Sequence, residues 1–79
     1  MNREKALITI QEILIDILDT EDVFIEENSS AEDFDGWDSL AHINIVTQVE
    51  EEFEVKFTLD EIGEFSSVKK IIDAIAAKK

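Results

Sequence analysis

Apolar side chains recur at helical spacing along most of this 79-residue chain, and this repeat constrains the fold more than any other feature. Residues 39–54 carry one apolar stripe, built on Ile45 and Val49, and another stripe follows Ser67. An alternating strand pattern of useful length is absent, which favours an all-α protein. In residues 3–18 the apolar positions fall on one arc at about 100° per residue: Ala6, Leu7, Ile10, Ile13, Leu14, Ile17 and Leu18.

Capping residues predict where the later helices begin. Asp38 is placed to cap the helix over residues 39–54. The run Thr58-Leu59-Asp60-Glu61 has the spacing of a capping box, and the helix that it opens is short because Gly63 soon interrupts it. Ser67 can cap the last helix. We therefore predict a small antiparallel four-helix bundle with three long helices and a short third helix.

The connection between the first two long helices, residues 19–38, is long for a compact domain. Ser29 and Glu32 have capping-box spacing, which predicts a single helical turn inside it. We expect an ordered, packed loop, because it carries apolar residues that can pin it to a core: Val23, Phe24, Ile25, Phe34 and Trp37.

The net charge of −13 is concentrated in one stretch of the chain. Between Ala6 and Val55 there is no Lys or Arg, while fifteen of the twenty acidic residues lie there. Nucleic acids and anionic membranes are poor partners for such a surface, because both are bound mainly through basic residues. The natural complement is a basic protein surface. The charge also disfavours self-association, so we expect a monomer.

Several function classes are excluded by composition. The absence of Cys excludes disulfides, Cys-based zinc sites and catalysis by a protein thiol, and a single His excludes multi-His metal sites. Asp33–Gly36 superficially matches a calcium loop, but the glycine falls too early and position twelve is Asn44. We predict no specific metal site. We also expect no secretory signal, no membrane insertion and a cytoplasmic location.

Ser39 stands where the acidic loop meets the second long helix. Helix N-termini present free N–H groups and a positive dipole end, which suit a phosphate. A serine there is otherwise a cap or a solvated residue. A third interpretation is a nucleophile with Asp38 and His42. Three residues so close in sequence cannot easily place a base that a third group orients, and no G-x-S-x-G elbow is present.

Asp38-Ser39-Leu40, with Gly36 before it and Glu50–Phe53 closing the next helix, resembles the acyl carrier proteins. The resemblance spans the whole chain, as a single acyl-carrier-like domain over residues 1–79. It implies that Ser39 carries 4′-phosphopantetheine through a phosphodiester and that cargo is held as a thioester on the arm. The chain itself would not be an enzyme. The implied partners are a phosphopantetheinyl transferase and acyl-loading, acyl-transfer or ketosynthase-type enzymes with basic surfaces.

The resemblance also implies roles for residues around Ser39. Asp38 and Leu40 flank the arm. His42 either packs half-buried at the helix start or lines the mouth of the pocket that shelters the arm or the acyl chain, where the family more often has a small hydroxyl residue. Trp37 either packs the loop or contacts the arm. The implied partner contacts are Leu40, Ile43, Glu50, Glu51 and Glu52.

The chain departs from the family pattern early in this helix. Ala41 and Asn44 stand where typical fatty-acid carriers have acids, and Thr47 replaces an apolar residue. We expect a docking face that is less acidic there, and therefore a specialised lipid, polyketide or surface-glycolipid pathway. Two alternatives stay open: an aminoacyl or peptidyl carrier of a nonribosomal-type pathway, and an unmodified acidic helical interaction module.

Overall fold

The computed structural model describes residues 2–20 and 23–78, and this part of the chain forms four α-helices. Within the described ranges there is no strand, only an isolated bridge between Ser30 and Ser67. Helix α1 packs against both α2 and α4. The prediction of an all-α bundle with a short third helix is confirmed. The helices are α1 (Arg3–Ile17), α2 (Ser39–Phe53), α3 (Leu59–Gly63) and α4 (Val68–Lys78).

The predicted caps are present at the starts of α2, α3 and α4. The Asp38 carboxylate accepts a hydrogen bond from the Ala41 amide at 2.9 Å. The Thr58 hydroxyl accepts from the Glu61 amide at 3.2 Å, and the Glu61 carboxylate accepts from the Thr58 amide at 2.8 Å. The Ser67 hydroxyl accepts a hydrogen bond from the Lys70 amide at 3.4 Å. Each side chain satisfies an amide that the first helical turn leaves without a partner.

The apolar stripes of the long helices converge on one core. This convergence stabilises the bundle, because burial of apolar area is the main favourable term in folding. Helices in proteins gain most of their stability from such packing. The large side chains that are fully buried come from α1, α2 and α4: Ile10, Leu14, Ile45, Val46, Val49, Val68, Ile71, Ile72 and Ile75.

The loop between α1 and α2 is tied to the start of α4. The Val68 amide donates to the Ser29 carbonyl at 2.9 Å, and the Lys69 amide donates to the Glu27 carbonyl at 2.8 Å. The loop contains a single 3₁₀ turn over Ala31–Asp33. The expectation of an ordered loop with one helical turn is therefore met. The prediction that Ser29 and Glu32 form the capping box was wrong by one residue.

Ser30 and Asp33 take that place in the structure. The Ser30 amide donates to the Asp33 carboxylate at 2.9 Å. Ser29 is already engaged, because its hydroxyl accepts a hydrogen bond from the Glu26 amide at 2.9 Å. The backbone hydrogen bonds between the loop and α4 explain this shift. They make Ser30 the extended residue that directly precedes the turn.

Four of the five apolar loop residues pack as expected. Ile25 and Trp37 are buried, and Val23 and Phe34 are half-buried against the core. Phe24 was expected to pin the loop, but 88% of its surface is exposed. In an extended segment neighbouring side chains point to opposite sides. Val23 and Ile25 face the core, so Phe24 between them faces away.

Arg3 joins α1 to the loop and to α4. Its guanidinium contacts the Glu27 carboxylate at 2.6 Å and the Asp73 carboxylate at 2.8 Å. The hydrogen bonds that Arg3 donates to Glu27 and Asp73 raise the pKa of Arg3, and the bond from Arg3 lowers the pKa of Glu27. No helix of the described residues is long and apolar enough to cross a membrane.

Candidate functional site

Ser39 is the first residue of α2, and its side chain is exposed. The capping acceptor is the Asp38 carboxylate, which lies one residue earlier. The hydroxyl of Ser39 is therefore not needed for the helix cap. This geometry removes the capping role as an alternative for this serine and leaves its oxygen accessible at the start of the helix.

The start of α2 is electrostatically suited to an anion. No acidic side chain lies in the first turn of the helix. The free amide groups of that turn and the helix dipole place partial positive charge beside Ser39. A phosphodiester on the Ser39 oxygen would thus meet a favourable field from the backbone, although Asp38 is close by. The local residues fit a phosphopantetheine group attached at this position.

An open groove of about 610 Å³ begins at Ser39 and runs between α2 and α3. The α3 side of this groove was missed by sequence reasoning. The signal was present, since Leu59 and Ile62 are three residues apart and share one face of a helix. The groove residues are mostly apolar: Ala31, Trp37, Asp38, Ser39, His42, Ile43, Leu59, Ile62 and Gly63.

His42 is half-buried and lines the groove, so both interpretations of it describe part of what the structure shows. The Trp37 indole N–H donates to Nδ1 of His42 at 3.0 Å, and Nε2 of His42 lies 2.9 Å from the Ile62 carbonyl oxygen. Both ring nitrogens are thus engaged away from Ser39. His42 is not placed to act as a base for Ser39, which rules out the hydrolase interpretation in this conformation.

Apolar side chains surround Ser39 on the surface. Leu40 is 72% exposed, Ile43 is 48% exposed, and Leu59 on α3 is 84% exposed. Leu40 therefore lies off the buried face of α2. Exposed apolar residues grouped beside a groove are typical of a surface that contacts another molecule.

The three predicted acidic contacts lie at the other end of α2. Twelve residues separate Ser39 from Glu51, which corresponds to about 18 Å along a helix. Glu51 and Glu52 are exposed. Glu50 is half-buried, and its carboxylate accepts a hydrogen bond from the Phe57 amide at 2.9 Å. Glu50 therefore has a structural role in the link between α2 and α3, besides any contact with partners.

One sequence argument about the docking face needs correction. Ala41 was taken as a gap in the acidic surface, but its side chain is buried at 8% exposure. Its neutral character is therefore a packing requirement. Asn44 and Thr47 are exposed. Thr47 stands in place of an apolar residue, so Asn44 is the substitution that makes this face of α2 less acidic. The Thr47 hydroxyl donates to the Ile43 carbonyl at 2.8 Å, which satisfies it within the helix.

Comparison with known proteins identifies the family of this chain. The family model described as "Phosphopantetheine attachment site" matches residues 9–75. The chain belongs to this family. Among solved structures, this carrier protein is similar to the holo acyl carrier protein of Geobacter metallireducens, determined by solution NMR. The sequences are 29% identical, the match covers 92% of this chain and 84% of that one, and the TM-score is 0.82.

A comparison with curated proteins found no match. The family and the fold nevertheless agree on a carrier protein of the acyl carrier type, whose cofactor is covalently attached 4′-phosphopantetheine. Members of this family are carriers and not enzymes, which confirms the prediction that this chain performs no catalysis.

Proposed function

We propose that Ser39 is the attachment point of 4′-phosphopantetheine and that the chain presents an acyl or related intermediate to partner enzymes. The observation that carries the proposal is the exposed Ser39 hydroxyl at the start of α2, beside the groove, with Asp38 as the cap. When bound, the arm supplies a terminal thiol that holds cargo as a thioester. This cofactor explains how a chain without cysteine takes part in thiol chemistry.

Each part of the site has a role in this proposal. The first turn of α2 stabilises the phosphodiester through its amides and dipole. The apolar groove between α2 and α3 shields the arm or a short cargo from water. Leu40 and Ile43 contact the surface of the partner enzyme near the reacting end. Burial of such side chains strengthens binding in proportion to the apolar area covered.

The acidic residues guide partners to this site. Glu51 and Glu52, with Glu50 beside them, attract basic surfaces of the transferase and of acyl-loading or acyl-transfer enzymes. A partner that contacts both Glu51 and the attachment point at Ser39 must span about 18 Å. Since exposed charge pairs are screened by salt, loading should slow as ionic strength rises.

The exposed, uncharged Asn44, at a position where an acid is expected, supports a specialised pathway over general fatty-acid synthesis. Lipid, polyketide and surface-glycolipid pathways, in the cytoplasm, fit this proposal. An aminoacyl or peptidyl carrier would use the same arm. The two classes differ in whether an adenylating enzyme loads the arm or a ketosynthase accepts the cargo from it.

Intact mass spectrometry after incubation with coenzyme A and a broad-specificity phosphopantetheinyl transferase tests the attachment. The wild-type chain should gain one phosphopantetheine, and Ser39→Ala should gain none. Ser66→Ala is a matched control, because Ser66 is also an exposed serine but lies between α3 and α4. This control should load like the wild type. A mass gain that survives Ser39→Ala would refute the assignment, and no gain in any variant would favour the unmodified interaction module.

A further inference from the structure

The hydrogen bonds of His42 define its protonation state. An indole N–H can only donate, so Nδ1 of His42 must accept from Trp37 and carry no proton. A backbone carbonyl can only accept, so Nε2 must carry the proton that faces Ile62. Both bonds are satisfied together in the neutral ring with its proton on Nε2.

We propose that His42 is a positioning residue that sets the groove beside Ser39. Its neutral ring joins Trp37, in the loop before α2, to the Ile62 carbonyl in α3, and this bridge keeps α3 against α2 along the groove. The two bonds of 3.0 and 2.9 Å connect the two segments that flank α2 on this side. The link between this bridge and cargo rests on the proposed function, whereas the bridge itself does not.

Helix α3 needs such a bridge because it is short. It has five residues, far fewer than a helix needs to be stable by itself, so contacts with its neighbours hold it in place. Leu59 at its start is exposed and contributes little burial. Glu61, in the middle of α3, contacts Lys78 of α4 at 3.2 Å. His42 adds a polar contact from α2, which reaches α3 at Ile62 in the wall of the groove.

Protonation of His42 would break the bridge. The imidazolium carries a proton on both nitrogens, so Nδ1–H would face the Trp37 N–H, and two donors cannot bond to each other. The other ionisable side chain lining the groove is Asp38, whose carboxylate is engaged by the Ala41 amide. On α3, Glu61 is bound to Thr58 and Lys78, and Asp60 is exposed.

Solution NMR of the unmodified full-length chain tests the bridge. The imidazole ¹⁵N shifts should show a single neutral tautomer with the proton on Nε2. His42→Ala should increase solvent exchange of the Trp37 indole N–H by about tenfold, the factor expected for loss of one buried hydrogen bond. Asn44→Ala is a matched control on the exposed face of the same helix. It should leave this exchange unchanged, because it removes no bond to Trp37. His and Asn have similar helix propensities, so both substitutions by Ala change the propensity of α2 by similar amounts.

The pH dependence separates positioning from simple packing. In the wild type, the Trp37 indole N–H shift should titrate with the same midpoint as the His42 ring. His42→Asn retains an acceptor near the position of Nδ1 but does not titrate, so the indole shift should stay constant over the pH range in which the wild-type shift changes. A dominant Nδ1–H tautomer in the wild type, or an indole shift that titrates equally in His42→Asn, would overturn the proposal.

The consequence for cargo is measured on chains loaded with an octanoyl arm. The amide shifts of Leu59 and Ile62 should differ more between loaded and unloaded chain in His42→Ala than in Asn44→Ala, because the groove wall is no longer held. Equal differences would overturn the role of His42 in setting the groove. Failure to load at Ser39 would instead count against the proposed function, and the tautomer and titration results on the unmodified chain would still stand.

Discussion

Replacing Asp38 with Ala tests how the fold presents Ser39. The Asp38 carboxylate accepts from the Ala41 amide at 2.9 Å and is the side-chain cap at the start of α2. Loss of an N-cap costs about 1 kcal/mol, within a range of about 0.5–2 kcal/mol. A domain of this length has a free energy of unfolding of about 4–12 kcal/mol. We therefore expect Tm to fall by about 4–8 °C in thermal denaturation followed by circular dichroism.

Two further variants separate the cap from the charge and from overall stability. Asp38→Asn keeps a capping oxygen, so it should stay within about 0.5 kcal/mol of the wild type. Ser67→Ala removes the cap of α4, where the Lys70 amide lies 3.4 Å from the Ser67 hydroxyl. This variant should also lose stability but keep the wild-type rate of loading by the transferase. Asp38→Ala should load more slowly, because the turn that carries Ser39 frays.

The outcomes are distinct. If Asp38→Asn is destabilised as much as Asp38→Ala, the charge and not the capping oxygen stabilises α2. If Asp38→Ala retains the wild-type Tm, the Ala41 amide does not depend on this cap. If Ser67→Ala slows loading as much as Asp38→Ala, slower loading reflects global stability and not the turn at Ser39.

Two further predictions concern stability. Gly36 has a φ of 87°, which residues with a side chain rarely adopt, so Gly36→Ala should cost about 1 kcal/mol of stability. Gly63 has nothing within 4 Å of an added Cβ, so Gly63→Ala should stabilise the fold by about 0.5–1 kcal/mol. Urea denaturation checks both, and effects of the same sign would contradict the backbone argument. The pKa of Glu27 is lowered from 4.5 by the hydrogen bond from Arg3, so its contribution is present above pH 4.5 and is lost as pH falls through the lowered value. The stability difference between wild type and Glu27→Gln should therefore shrink below pH 4.5, and a difference that grows there would contradict the ion pair.

The long helices were predictable because local and tertiary signals agree. The apolar stripes around Ile10, Ile45 and Ile72 mark the faces that the structure buries, and the caps at Asp38 and Thr58 mark the helix starts. Predicted ends were off by a residue. Helix α2 ends at Phe53 because Glu54 adopts a left-handed conformation with φ of 55°, which no local pattern indicated.

The loop and the groove were less predictable, because contacts distant in sequence decide them. The capping box moved from Ser29 to Ser30 since α4 binds the loop backbone. The bond from Trp37 to His42 and the approach of Ile62 depend on how α3 returns to α2. Ala41 was predicted to lie on the docking surface, but the structure buries its side chain.

The position of the modified residue tests the central claim most directly. Tryptic cleavage leaves Ser29, Ser30 and Ser39 in one peptide, because no Lys or Arg lies between Ala6 and Val55. A Glu-specific protease that cuts after Glu32 and Glu50 releases residues 33–50, in which Ser39 is the only serine. After loading, tandem mass spectrometry should place one phosphopantetheine on Ser39 in this peptide. An unmodified 33–50 peptide from a chain that has gained the mass would contradict the account.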